Sequence, residues 1–491
     1  MRTHTSAGGT DMEKTTEWLL TLIIIGSALA FGGVQPLATA SLEVFVFLAL
    51  LLLVLAQTRR GKIDLCLPVW PVVFLLLVVV QLIWLPSALV TRLSPMRLLD
   101  PALGHLSHVA KGWQPLSIYP YQTLLALAKL LAYVAAFVLA GSLFDSGRRK
   151  SILVRGLIIL GCFEAVYGIV QYLTGWQQIF TYKKQFYTQD ATGTYVNHNH
   201  FAGLLGLIIP LVGSMAFYYF QQWAEGRAQD LDRHATPGKS SVGFQSLFYV
   251  FMALVLAIGV VFSRSRGGIL AMVFSLVFIG LLAQLRTTRK AWTAGVFVFL
   301  LGLAGYAIWI GLDPVLARFE QLREPGYLQL EGRISIWKDS LHLVRDFPLI
   351  GTGLGTFGVA FRRYQTSMLD NMVDHAHNDY LEFASETGLL GLAILFLPML
   401  YLFGRMIAAF LNDPRRFRRA VLLGCIGSTL AILIHSLADF NLQIPANALV
   451  VAVILGTGYK AACVERRMEA QDERSRLKAR TIAPTDAFRR G

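Results

Sequence analysis

Charge is scarce in this chain of 491 residues: Asp, Glu, Lys and Arg make up 15% of it, where a soluble protein carries roughly 25%. Hydrophobic residues make up 55%. So few charges cannot cover that much apolar surface in water, which excludes a soluble enzyme, and disorder needs the opposite composition. Cysteine is scarce too. The four present, Cys66, Cys162, Cys425 and Cys463, lie in or at the ends of apolar runs with no pairing pattern. That excludes a disulfide framework and a zinc site and leaves them as small core hydrophobes. Acids are the rarer charge, 30 against 44 Lys and Arg, for a net charge of +14. In a soluble chain that excess would point to nucleic acid; in a membrane protein it first asks which side holds the cations.

Long apolar runs are what the chain has instead. A span needs about 20 mostly apolar residues to cross roughly 30 Å of hydrocarbon. Twelve are read, near 18–36, 41–57, 65–86, 120–143, 152–173, 200–220, 243–263, 267–285, 291–311, 388–406, 420–438 and 445–463. The first has a long polar lead and no small-residue cleavage site, so it is expected to be a permanent span. Every second connection is basic: Arg59, Arg60 and Lys62; Arg148 to Lys150; Arg227, Arg233 and Lys239; Arg286, Arg289 and Lys290; Arg415, Arg416, Arg418 and Arg419; then a tail from 465 to 491 rich in Arg. The cation bias puts both termini in the cytoplasm and makes nucleic acid an unexpected partner. The expected fold is an all-α polytopic membrane protein of about 12 transmembrane helices, residues 1–464, with a basic cytoplasmic tail, 465–491. Three outer loops are long, near 87–119, 174–199 and 312–387, and loops of that length usually serve a purpose. Within the largest, before the tenth span, Gly332 to Phe347 spaces Ile336, Trp337, Leu341 and Val344 as an amphipathic helix.

Polar chemistry gathers on the outer side in three clusters. In the first, Asp374 to Tyr380, His375, His377 and Asn378 stand at the start of the tenth span. An imidazole at that boundary can take a proton from a hydroxyl, and Glu382 or Glu386, one or two turns along, could orient it. Two His at i and i+2 share no helix face, and no HExxH spacing occurs, so no metal is expected. The second is Ser263-Arg264-Ser265-Arg266-Gly267-Gly268. Paired Arg on the outer side calls for an anionic partner, and guanidinium forks suit phosphate oxygens; snorkelling to lipid phosphate is the plain alternative. Arg333 is a third candidate cation. The third cluster, Gly193 to Gly203, holds Asn197, Asn199 and His200, suited to sugar hydroxyls or to helix capping. Asp439, near His435, Asn441 and Gln443, is expected to pair with an outer Arg. Glu164 and Lys129, inside the fifth and fourth spans, could be each other's partner. Gly351-Thr-Gly-Leu-Gly-Thr has no strand before it and reads as a turn, not a nucleotide loop.

Read together, residues 193–391 resemble the O-antigen ligase and polymerase superfamily, bacterial membrane glycosyltransferases that use polyprenyl-diphosphate-linked glycans. Four pieces in order carry the resemblance: Gly193-Thr-Tyr-Val-Asn-His-Asn-His-Phe-Ala202; Ser265-Arg-Gly-Gly268; Arg333-x-x-x-Trp337 followed by Pro348-Leu-Ile-Gly-Thr-Gly-Leu-Gly-Thr-Phe357; and His377-Asn378, nine residues, Gly388, two residues, Gly391. The resemblance implies His377 as catalytic base, with Arg266 and Arg333 on the donor diphosphate; Arg264 joins them as a neighbouring cation. Asn378, Glu382, His375, Asn197, Asn199 and His200 are expected in support or at the acceptor. It implies no cofactor and no metal, an undecaprenyl-diphosphate glycan donor, a glycan or lipid A-core acceptor, membrane lipids as surroundings, and an active site on the periplasmic face of a bacterial inner membrane. Ligase transfer to lipid A-core is the leading expectation. A polymerase of O-antigen or exopolysaccharide repeats and a protein O-glycosylating ligase share the chemistry. The segment His435 to Pro445 looks like what the longer members carry, and it counts against a strict lipopolysaccharide-ligase label without displacing that expectation. A transporter or flippase is the rival of another class; it would place charged groups at the midplane, whereas here they gather at the outer rim.

Overall fold

The computed structural model describes residues 4–61, 63–99, 112–144, 152–230, 240–287, 332–366 and 372–464. The elements are α1 (His4–Leu29), α2 (Pro36–Arg59), α3 (Val69–Leu82), α4 (Pro120–Leu143), α5 (Ile152–Thr174), α6 (His198–Asp230), α7 (Ser240–Phe262), α8 (Arg266–Gln284), α9 (Arg333–Asp346), α10 (Asp379–Asn412), α11 (Arg416–His435) and α12 (Pro445–Tyr459). Two short antiparallel pairs, Trp84–Pro86 with Trp113–Pro115 and Gln178–Ile179 with Tyr182–Lys183, are the strands among the described residues. The chain is an all-α multi-pass membrane protein: nine of the described helices are long and apolar enough to cross a bilayer.

Local chemistry sets the ends. Proline opens α2, α4 and α12, where its missing N–H would be unsatisfied anyway. The first expected span is cut short, because Gly32 and Gly33 take positive φ in a single 3-10 turn after α1. The third is only 14 residues long, bounded by Pro68 and an extended Ile83. The ninth expected span, 291–311, and the basic tail lie outside the described residues, as do 312–331 and 367–371 of the largest loop. The expected amphipathic helix in that loop is α9, entered through Gly332 at φ 71°.

Nearly all of α6 is buried, and α11 and α12 lie almost as deep. They are wrapped by the other spans around one large apolar core. A smaller cluster, Ile336, Leu343, Phe347, Phe357 and Phe361 with Val373 and Ala376, fixes α9 and the loop before α10 over one end of the bundle. At the opposite end, buried Arg418 bridges Asp413 at 3.0 Å and donates to the Ala461 carbonyl, while Arg286 and Arg419 reach the Asp413 carbonyl. The two ends therefore differ in chemistry: paired Arg at one, His, Asn and carboxylates at the other.

Helix α10 is broken at Gly388 (φ 67°, ψ −179°), and the loop from Pro348 to Leu354 fills the break. The freed Leu389 and Leu390 N–H groups donate to the Pro348 and Leu349 carbonyls at 2.8 and 3.3 Å, and Thr352 and Gly353 N–H donate to Ser385 and Glu386 carbonyls at 3.0 and 2.9 Å. Gln81 of α3 closes the arrangement, donating to the Ile350 and Glu386 carbonyls and accepting from Leu354 N–H. These freed backbone groups thus find partners, as burial requires. A Cβ at Gly388 would overlap the Leu349 carbonyl, and one at Gly351 would overlap Glu386. The glycine turn and the glycines after His377-Asn378 are two halves of one structure.

Candidate active site

The site is assembled on the short loop 436–440 between α11 and α12. Asn378 caps α10, its Oδ1 accepting from Leu381 N–H at 3.0 Å, and its Nδ2 donates to the Leu437 carbonyl at 3.0 Å. Asp379, fully buried, accepts from the Ser436 hydroxyl at 2.6 Å and from Leu442 N–H at 3.2 Å. Arg333 donates to the Ala438 carbonyl at 3.2 Å. Gly267, beside Arg266 at the start of α8, lets His435 and Ala438 approach so closely that a Cβ there would press on both. The starts of α8, α9 and α10 therefore converge on one loop.

Asp439 and Phe440 organise the imidazoles. Asp439 Oδ1 lies 3.6 Å from His377 Nδ1 and 3.8 Å from His200 Nε2 and accepts from Phe440 N–H at 2.9 Å. Burial would raise the Asp439 carboxyl, but the two facing imidazoles outweigh it and hold it well below the usual carboxylate range. The expected Arg partner is thus replaced by two histidines. His377 has φ 50°, a left-handed conformation uncommon outside glycine, which turns its ring out of the line of α10. The rings of His377 and His200 meet Phe440 edge to face at 4.9 and 4.7 Å between centroids, and His375 stacks on it at 4.1 Å. His377 remains about a third exposed, whereas His200 and Asp439 are buried.

The other expected residues divide. Glu382 is brought to His375, not His377: Oε1 lies 2.7 Å from His375 Nδ1, and Oε2 accepts from Ala376 N–H at 2.9 Å. Burial opposes the charge on His375, but Glu382 with Glu386 and Asp374 outweighs it and raises the imidazole pKa above its ordinary 6.5. Glu386 accepts from Phe357 N–H at 3.0 Å and anchors the glycine turn. Arg264, also at positive φ, stands 3.1 Å from Asp190, which holds His198 at 3.0 Å through its other oxygen. Ser265 caps α8 by accepting from Gly268 N–H, leaving Arg266 as its first residue. Asn197 accepts from Asn199 N–H at 2.8 Å at the start of α6, and Asn199 is buried there. Glu164 accepts from the Thr194 hydroxyl and N–H at 2.6 and 2.8 Å, so its partner is Thr194 and not Lys129. Among the described residues, no three or more His, Cys, Asp or Glu are arranged to hold a metal ion.

Sequence reading missed the weight of loop 436–440. Its signal was present in the density of Asp, Asn, Gln and His next to an apolar run, but nothing in one dimension ties it to residues sixty positions away. What the arrangement can do is proton transfer: an accessible imidazole backed by a buried carboxylate, with Arg333 on the same loop and the start of α8 packed against it. Residues 251–396 match the O-antigen ligase family. No curated protein is matched at significance.

Proposed function

We propose that this chain, a member of the O-antigen ligase and polymerase superfamily, transfers a glycan from an undecaprenyl-diphosphate carrier to an acceptor hydroxyl at the periplasmic face of a bacterial inner membrane. Family members are glycosyltransferase-like enzymes, and the observation that carries the finer reading is His377 backed by Asp439 on the loop where Arg333 and the start of α8 meet. His377 takes the acceptor hydroxyl proton as the oxygen attacks the anomeric carbon. The bond from that carbon to the diphosphate oxygen breaks, and its electron pair leaves with the polyprenyl diphosphate. Asp439 stabilises the imidazolium that forms. Arg266 and Arg333 hold the diphosphate through the attack and neutralise the charge it gains; Arg264 supports that face through Asp190. Asn378 fixes the backbone at the base. With an activated leaving group already on the donor, the reading needs no nucleotide and no metal.

The ligase form delivers the glycan to lipid A-core. The polymerase form, which extends O-antigen or exopolysaccharide repeats, uses the same chemistry on a lipid-linked acceptor. A flippase would place its ionisable groups at mid-bundle, whereas here His200, His377, Asp439 and Arg333 gather at one end. The test is glycan transfer by the purified protein from a defined undecaprenyl-diphosphate glycan to lipid A-core or to a second lipid-linked glycan. His377→Ala is expected to abolish product while donor binding persists; an active His377→Ala enzyme would sink the reading.

A further inference from the structure

The end of the bundle opposite the histidines is built around one buried carboxylate, Asp413, just past α10. Its Oδ2 lies 3.0 Å from Arg418 Nη1, and its Oδ1 accepts from Arg415 N–H at 2.8 Å and faces Arg415 Nε at 3.5 Å. Both oxygens are thus engaged by α11 and its cap. Two further guanidinium groups come to the same residue and meet only its main chain. Arg286, two residues past α8, and Arg419 of α11 reach the Asp413 carbonyl at 3.3 and 3.4 Å, and Arg419 also reaches Gln221 Oε1 of α6 at 3.4 Å.

These two cations are poorly balanced. Arg419 is buried and Arg286 half-buried, and the buried Nε of each has no hydrogen-bond partner among the described residues. Arg286 and Arg416 stand near enough to Arg419 for their like charges to bear on it. Long contacts to neutral oxygens do not offset full charges taken out of water, so the cluster is costly until an anion joins it. Two guanidinium forks that meet at one carbonyl suit the two free oxygens of a phosphodiester. The setting selects the carrier. Leu281 and Leu285, strongly exposed, bring lipid-facing surface up to Arg286, and basic recesses between spanning helices are where anionic headgroups settle. A headgroup with its own ammonium would add one more cation, so the charge balance favours an anionic phospholipid over a zwitterionic one.

We propose that the recess between these ends of α6, α8, α10 and α11 binds the phosphate of one anionic phospholipid, held by Arg286 and Arg419. The lipid is a structural ligand, distant from the transfer chemistry and independent of it. Its place in the fold gives it a consequence. Helix α8 begins at Arg266, α10 follows Asn378, and α11 ends at His435. The helices that meet at this phosphate therefore carry the candidate site at their other ends. A phosphate bridging Arg286 to Arg419 ties α8 to α11 and stabilises the bundle by binding only its folded form.

The experiment uses the full chain in detergent, stripped of copurifying lipid, titrated with phosphatidylglycerol and read by native mass spectrometry. One phosphatidylglycerol is expected to be retained per chain at a saturable site. Retention is expected to be about tenfold weaker in Arg286→Gln and in Arg419→Gln, as loss of one charge-assisted contact implies. Arg59→Gln removes an exposed cation at the same end and is expected to change retention by less than about twofold, because exposed charge is screened. Arg286→Gln, at a half-buried position, carries the result should Arg419→Gln not fold. Thermal unfolding separates a lipid contact from an internal one. Without lipid, Arg286→Gln is expected to unfold at or above the wild-type temperature, since a like charge beside Arg419 is gone; with phosphatidylglycerol, the wild type is expected to rise and Arg286→Gln is not. Equal retention of phosphatidylethanolamine, retention unchanged in the Gln variants, or a lower unfolding temperature of Arg286→Gln with and without lipid overturns the proposal. Inorganic phosphate that stabilises the wild type as much as phosphatidylglycerol does at equal concentration overturns the lipid carrier and leaves a site for free phosphate.

Discussion

His377 Nδ1 faces Asp439 Oδ1 at 3.6 Å, across 62 positions of sequence, and the same carboxylate faces His200 at 3.8 Å. The distance to His377 is slightly longer than a hydrogen bond, a common state for a base and its orienting carboxylate before substrate closes on them. Asp439→Asn keeps the volume but removes the charge that stabilises a protonated His377. The turnover rate is expected to fall by about a hundredfold or more, with the donor KM nearly unchanged. A steady-state split of kcat from KM checks it; a change confined to KM would make Asp439 a binding residue.

Arg264 and Arg266 differ although one residue separates them. Arg264 is 14% exposed and paired with Asp190, itself joined to His198. Arg264→Ala leaves a buried carboxylate short of a partner and is expected to cost about 2 kcal/mol of stability, read as a lower unfolding temperature in detergent. Arg266→Lys is expected to leave that temperature unchanged and to lower kcat/KM for the donor, because a point charge replaces a fork. The reverse pattern would exchange their roles.

Gly388 has no room for a side chain. Its φ of 67° strains any L residue, and a Cβ there would overlap the Leu349 carbonyl. Gly388→Ala is expected to destabilise by about 3 kcal/mol or more, in the range of severe backbone conflicts, and to open the 348–354 turn to proteolysis. Gly404, whose added Cβ would meet nothing within 4 Å, is the control, and Gly404→Ala is expected to be tolerated.

The His375 and Glu382 pair makes stability depend on pH. The folded imidazole pKa is raised above the ordinary 6.5, so the folded state binds the proton more tightly than the unfolded one. The contribution is fully present below pH 6.5 and is lost as pH rises through the folded value. In thermal unfolding at pH 6 and pH 8, His375→Gln is expected to flatten the decline of the native protein; an unchanged decline would assign it elsewhere. Asp439 acts in the opposite direction and far lower, since its depressed carboxyl loses its contribution only as pH falls below the ordinary carboxylate range.

Much of this was legible in one dimension. Apolar runs and basic connections are properties of neighbouring residues, so the sequence alone determined a multi-pass helical bundle, and the fourth and twelfth expected spans begin at Pro120 and Pro445, which open helices in the structure. His377, Asn378, Arg266 and Arg333 stood out because such side chains are costly beside lipid. Tertiary structure alone decided which polar group meets which. Glu382 is one turn from the start of α10 and was equally available to either histidine; the left-handed turn at His377 sends that ring to Asp439 and leaves Glu382 to His375. The glycine turn at 351–355 and the broken helix at Gly388 each looked like isolated glycine usage, because the hydrogen bonds that pair them run between segments more than thirty residues apart. Sequence sets which groups must find partners; packing, by bringing distant segments within bonding distance, selects the partner.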